Sequence, residues 1–367
     1  MSIEEKNTIF DLLIRRVKEV LKVALFFVLL FFSGIVVYAQ DIQFSQFYQA
    51  LLYQNPAFAG SGHKNRVMAH QRLQWLGVGN STYGSSKYLT SLVSYDTYFK
   101  KYASGIGAQV FYDRQGDGQI SAVDISAMYS YELHINSHYS FRSGFQLGWD
   151  SRTIDYSILT FPRQYSDSGF DNGVANPFSD VQSRKSYLDV SAGGVLYTNE
   201  YWIGVTAHHM NTPNQSFISE QSELPMKLAL TGGYKFVLHE DASGLANDPT
   251  ITEVTLTPTF HYKYQGKSDQ FDLGLYGHYK HYVIGGWYRG IPFKKFNTKL
   301  QNNESFVILG GYKTYNMSFT YSYDYTVSTL RVIGTGGAHE INITYIFPQK
   351  KWNKPTKRMP CPNFYVH

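Results

Sequence analysis

A single cysteine, Cys361, stands in the whole chain, so no disulfide can form within it, and in an exported protein it is a free thiol or a link to another chain. Charge is scarce as well: 17% of residues are Asp, Glu, Lys or Arg, against about 25% in ordinary globular domains. The net charge is only +5 and the one basic run lies at the C-terminus, which excludes the clustered patches of a nucleic-acid binder. Only one continuous apolar run occurs, and mean hydropathy is −0.29. A helical membrane protein needs runs of about 20 apolar residues, so that class is excluded too. No Gly-x-Ser-x-Gly and no phosphate loop occur, and nothing in the sequence supports catalysis or a cofactor. The chain is expected not to be an enzyme.

What the chain has in excess is Tyr (31), Phe (25) and Gly (31). That bias suits a sheet with an aromatic girdle and close strand crossings. A membrane barrel hides its apolar face in alternate residues, so its average hydropathy stays polar.

The apolar run is Val23–Val37, preceded by Arg15, Arg16, Lys18 and Lys22 and followed by Val37-Tyr38-Ala39. A basic region, an apolar core of about 15 residues and small residues at a cleavage position read as a signal peptide. Residues 1–39 are therefore expected to be removed, leaving Gln40 first. A membrane anchor is the competing reading, but the core is short for a span.

Residues 40–63 form an expected N-terminal periplasmic or plug segment. Phe44, Phe47, Tyr48, Leu51 and Leu52 recur at helical spacing over 43–52, and Asn55-Pro56 breaks the pattern. Such an aromatic helix left in water would expose too much apolar surface, so it is expected to pack into or against the periplasmic mouth with Phe44, Phe47 and Leu51 buried.

From residue 64 the period becomes two. Phe141, Phe145, Leu147 and Trp149 alternate with Arg142, Gln146 and Asp150, and Phe319, Tyr321, Tyr323 and Tyr325 with Thr320, Ser322 and Asp324. Each is the signature of a strand with one side in lipid and the other in a polar lumen. About fourteen such segments fill residues 64–347, which predicts an all-β fold, a transmembrane antiparallel β-barrel. The gaps sort by parity. They are short after strands 2, 4, 6, 10 and 12 and long after strands 5, 7, 11 and 13, at 155–184, 211–224, 292–303 and 327–336. A bacterial outer-membrane barrel with periplasmic termini has this asymmetry, with short inner turns and long outer loops. Residues 348–367 carry four prolines among Lys and Arg and cannot continue a sheet. They read as a basic periplasmic tail, either solvated or a docking peptide.

Local clusters have bland readings. His208-His209 are adjacent on a strand, so they should point to opposite faces and not share a metal, and His278 and His281 flank a turn without a third ligand. Asp113–Gly118 lacks the acidic spacing of a calcium loop and reads as a hairpin turn. Ser61 and Lys64 match Ser-x-x-Lys by chance. Asp324 and Glu340 fall on the lumenal side of the last two strands. They form either a lumenal ion-pair ladder with Arg and Tyr partners or a fixed polar surface that docks a plug or cargo segment.

Three motifs carry a family resemblance: Gln43, Phe44, Ser45, Gln46, Asn55, Pro56, Ala57 and Gly60 at the start; "YSYDYTVS…TGGAHEINITYIF" over 321–347; and Cys361-Pro362 with Phe364 at the end. Together they resemble the PorP/SprF-like membrane components of the type IX secretion system of Bacteroidota. The resemblance implies an outer-membrane protein, with outer-membrane lipid around it, needed to export or retain at the surface cargo proteins bearing a C-terminal sorting domain. In gliding members that cargo is an adhesin. Components of the periplasmic secretion ring are implied as further partners. Candidate partner-binding residues are Phe44, Phe47, Asn55, Pro56, Asp324, Glu340, Cys361, Pro362 and Phe364; no metal, cofactor or nucleic acid is expected. The alternative is an outer-membrane transport channel for hydrophobic or other small solutes with an N-terminal plug.

Overall fold

Alternation of apolar and polar side chains decides which way every wall of the molecule faces. In the computed structural model, residues 41–348 and residue 361 are described, apart from 77–87, 117–119, 167–168, 172, 179–180, 182, 218–221, 241–252, 298–299 and 329–333. The segment expected to be a signal peptide, 1–39, lies outside the described residues, as do Pro362 and Phe364.

Fourteen strands make one closed antiparallel barrel: β1 (Arg66–Gln74), β2 (Tyr88–Phe99), β3 (Ser104–Gln115), β4 (Ile120–His134), β5 (Ser140–Thr153), β6 (Arg184–Tyr197), β7 (Tyr201–His208), β8 (Lys227–Tyr234, continued by Phe236–Glu240), β9 (Glu253–Gln265), β10 (Ser268–Tyr279), β11 (Tyr282–Asn297), β12 (Leu300–Lys313), β13 (Met317–Thr326) and β14 (Ala338–Ile346). Each pairs with its sequence neighbours, and β1 pairs with β14 from Arg66–Ile346 to Gln74–Ala338 to close the ring. Closure leaves no edge strand in lipid, where an unpaired backbone group costs several kcal/mol. On β5, Phe141, Phe145, Leu147 and Trp149 are exposed outside while Arg142 and Gln146 are buried inside, as the period of two requires.

Two expectations need correction. The loop placed at 292–303 is largely strand, because β11 and β12 extend as a hairpin through register shifts at Gly290, Lys295 and Asn297. The helix expected over 43–52 is confined to Leu51–Gln54, followed by a 3-10 turn at Pro56–Phe58. The physical reason is burial on all sides: Ser45, Gln46 and Gln49 are as inaccessible as Phe44 and Leu51. Polar side chains of the wall bind the backbone that a helix would otherwise satisfy.

This segment fills the barrel interior. Asp41 sits among the loop-side ends of the strands, bonded to His209 after β7, Lys227 at the start of β8 and Gln265 at the end of β9. His63 sits at the turn-side end, bonded to Glu132 near the end of β4. The segment thus spans the lumen between its two ends rather than resting at the turn-side mouth. The first described residue lies at the loop side, opposite to the end expected for the N-terminus, because β1 begins at the turn side and residues 41–63 reach it from within.

Candidate functional site

The interior segment is held at three levels. At the first, the carboxylate of Glu340 on β14 accepts the backbone N–H groups of Ser45 and Gln46, both at 2.7 Å. His70 of β1 lies 2.6 Å from the same carboxylate and Arg72 donates to it at 2.9 Å. Arg72 also donates to Asp324 of β13 at 3.0 Å. Arg289 of β11 donates to Asp324 at 3.2 Å, to Asp272 at 3.1 Å and to the carbonyl of Phe44 at 3.2 Å. The Ser45 hydroxyl joins Asp324 and Arg72, and Trp287 donates to the Ser45 carbonyl at 2.8 Å. The members of this network are buried. Burying several charges is a weak source of net stability, but this many directed bonds to the backbone and side chain of Ser45 and Gln46 favour one register of the bound segment.

At the second level the Asn55-Pro56 break is built into the wall. The Asn55 side chain accepts the Ala57 N–H at 2.9 Å and donates to the carbonyls of Gly194 and Val205 at 3.3 and 3.1 Å. Arg142 donates to the carbonyls of Ala57 and Ala59 and to Glu132. Asp96, clamped by Arg66 at 2.8 and 2.9 Å, accepts the Gly60 N–H at 2.8 Å. Close approach here requires glycine in the wall. A β-carbon on Gly105 would stand 2.0 Å from the Ala59 carbonyl oxygen, and one on Gly193 would stand 2.2 Å from the Asn55 side-chain oxygen. Burial holds His63 below its usual range, against the pull of Glu132.

The third level is Asp41. Burial would raise its carboxyl, but the charges of Lys227 and His209 overcome this and hold it well below the usual carboxylate range. His209 bridges Asp41 at 2.7 Å and Asp189 at 2.8 Å. The sequence argument that His208 and His209 face opposite ways fails here. β7 ends at His208, and His209 takes a left-handed φ of 55°, so both rings turn inward. His208 lies 3.3 Å from the Gln54 carbonyl and 3.2 Å from Ser191.

Aromatic contacts complete the fit. Phe44 packs edge-on to Tyr53 and beside His70, Phe47 stacks on His261, and Tyr48 stacks on Tyr276. A cavity of about 40 Å³ remains between Phe44, Phe47, Tyr53, His261 and Lys263, room for a few waters. From the tail, Cys361 donates its backbone N–H to the Ser61 carbonyl at 3.2 Å, and it is buried in the same apolar cluster as Phe58 and Tyr197. The structure therefore brings together Phe44, Phe47, Asn55, Pro56, Asp324, Glu340 and Cys361, all on or around one segment.

The PorP/SprF family of type IX secretion system membrane proteins matches residues 36–345. The chain belongs to that family. The family match and the closed barrel make it an outer-membrane protein. No curated protein matches the chain. Among solved structures the chain is similar to a Pseudomonas aeruginosa FadL homologue (10% identity, 80% of this chain and 93% of that chain, TM-score 0.38). It is similar also to a TodX monoaromatic hydrocarbon channel mutant (13% identity, 81% and 92%, TM-score 0.43). The KdgM porin is a further likeness (10% identity, 77% and 99%, TM-score 0.34).

Within this PorP/SprF barrel, the motifs that carry the family resemblance meet in space: Ser45 and Gln46 of the first meet Glu340 of the second, and Ser61 meets Cys361 of the third. Sequence reasoning missed Arg72, Arg142, Arg289, Asp96 and Glu132. The available signal was a charged side chain on the inward phase of a strand, where only a lumenal partner can satisfy it.

Proposed function

We propose that this type IX secretion component acts as a sealed, non-enzymatic anchoring unit: it holds exported cargo through its long loops, contacts periplasmic parts of the machine through the turn side and the tail after Phe347, and does not itself conduct the cargo. The observation that carries this reading is the attachment of residues 41–63 to opposite walls by the Glu340–Arg72–Asp324–Arg289 network and by the Arg142–Asn55 clamp. A path for a polypeptide would have to break both, leaving charges buried without partners at a cost of about 3–5 kcal/mol for each pair disrupted.

Cargo with a C-terminal sorting domain, such as an adhesin, is the partner class that this family membership supports. The test is a deletion after Phe347, scored for heat-modifiable barrel migration and for cargo at the cell surface. A barrel that assembles while surface cargo is lost supports the docking role. Normal surface cargo refutes it, and failure to assemble assigns the tail to the fold. Within the tail, Phe364→Ala is expected to lower surface cargo more than Lys357→Ala, since an aromatic anchor outweighs a screened surface charge.

A further inference from the structure

Away from the anchored segment, the lumenal wall of β3–β6 carries four carboxylates toward its loop-side end: Asp113, Asp124, Asp150 and Asp189. All lie on the inward phase, with Gln109 and Gln146 beside them. Asp124 and Asp150 stand directly opposite each other across β4 and β5, a pairing that like charges disfavour. The cations nearby leave Asp124 and Asp150 without an ion pair among the described residues. His209 is shared between Asp189 and Asp41, Lys227 is bound to Asp41, and Arg152 reaches Gln215 in the loop after β7. Asp124 accepts from Ser126 at 3.0 Å and Asp113 from Thr90 at 2.7 Å. Asp150 has no hydrogen bond or ion pair among the described residues.

A second observation points to a missing donor. The side-chain carbonyl oxygens of Gln109 and Gln146 are buried without any partner, and these residues are only 3% and 5% exposed. Gln109 is hydrogen-bonded to Asp124, so its unpaired oxygen belongs to the same cluster. Orphaned buried acceptors are costly and call for a donor. Gly148 lies on the inward phase between Asp124 and Asp189, close against the Asp124 carboxylate. A β-carbon there would stand 2.8 Å from the Asp124 carboxylate oxygen and 3.7 Å from the Asp189 β-carbon.

We infer that this wall binds an alkylammonium group, with the ammonium head received between the facing carboxylates of Asp124 and Asp150. The chemistry of the acceptors selects the ligand. They are strung along four strands, and among the described residues no three His, Cys, Asp or Glu converge on a metal. A head with three N–H donors on an alkyl stem bridges two facing carboxylates and leaves a third donor for a neighbouring amide oxygen. Such a group arrives either as a lysine side chain of a segment entering from the loop side or as a free diamine.

The test is calorimetric titration of the purified full-length barrel in detergent at low salt, with 1,5-diaminopentane in one arm and trilysine in the other. Saturable binding of at least one probe is expected, weakened tenfold or more in Asp124→Asn/Asp150→Asn. Gly148→Ala is expected to weaken it similarly while keeping every charge; the added methyl meets only the movable end of Asp124. Asp155→Asn, in the outer loop, should bind as the parent does. Binding of trilysine alone assigns the site to a lysine of a partner segment, and binding of the diamine assigns it to free diamines as well. No saturable binding of either probe, or unchanged binding in Gly148→Ala when its barrel migration is normal, overturns the inference.

Discussion

A β-carbon on Gly144 would stand 2.2 Å from the amide nitrogen of Ala57. The contact is backbone against backbone, so neither side can give way by turning a side chain. Gly144→Ala is therefore expected to displace the interior segment while the strands still pair, at a cost of about 1–3 kcal/mol. Limited proteolysis should cut between residues 41 and 63 in the variant and spare the parent. Gly310→Ala, with nothing within 4 Å of the added carbon, serves as the matched control and should behave as the parent.

Glu340→Ala leaves His70 and the Ser45 and Gln46 N–H groups without their carboxylate in a buried site and removes one of the two that Arg72 binds, so a loss of about 3–5 kcal/mol is expected. It should appear as a lower temperature of heat-modified migration in electrophoresis. Asp269→Asn removes a pair with the part-exposed Lys294, which is expected to change stability by less than about 1 kcal/mol. Equal effects of the two substitutions would contradict the role given to Glu340.

The Asp41–His209 pair makes the loop-side end of the segment sensitive to pH in both directions. Asp41 is held low, so its contribution is complete above the unfolded carboxylate value near about 4 and is lost as pH falls through the lower folded value. For His209, burial works downward but Asp41 and Asp189 push it up to about 10. Its contribution is complete below the unfolded value near about 6.5 and fades as pH rises through about 10. A fluorophore at an introduced Gln43→Cys should report a mobile segment at both extremes, and Asp41→Asn should remove the acid limb. A flat profile in the parent would refute the pairing.

Loop sorting predicts the membrane orientation, with the long loops outside. Cysteines introduced at Ser157, in the long loop after β5, should react with an impermeant maleimide on intact cells. Cysteines at Ser137, in the short turn between β4 and β5, should not. The reverse pattern would invert the barrel.

The strands were legible because each obeys one rule. Inward residues such as Arg142 and Gln146 alternate with outward Phe141 and Phe145, and a period of two survives even where single residues are unremarkable. The hairpin extension past Gly290 was not legible, since residues 292–303 lack that alternation and the pairing there proceeds through register shifts. Of the interior site, Asp324 and Glu340 could be assigned to the lumen by phase. Their joint partner Ser45 lies 279 and 295 positions away in sequence, and no local pattern encodes such a contact. The helical spacing of Phe44, Phe47 and Leu51 marked burial correctly but misassigned the backbone, because periodicity cannot see a carboxylate that will replace helical hydrogen bonds. His209 shows the same limit. Its inward turn depends on a left-handed backbone at the strand end, which period-two reasoning does not contain.

The most direct test locks the interior segment to the wall and asks whether export continues. Gln49 and Thr320 hydrogen-bond through their side chains at 2.8 Å, so Gln49→Cys/Thr320→Cys can be bridged by a short bismaleimide in cells, with the extent of bridging read by mass spectrometry. With the bridge in place, cargo should continue to reach the cell surface at the rate of the unbridged variant. Export that stops in proportion to bridging would show that the lumen must open to pass cargo, and would contradict a sealed anchoring barrel.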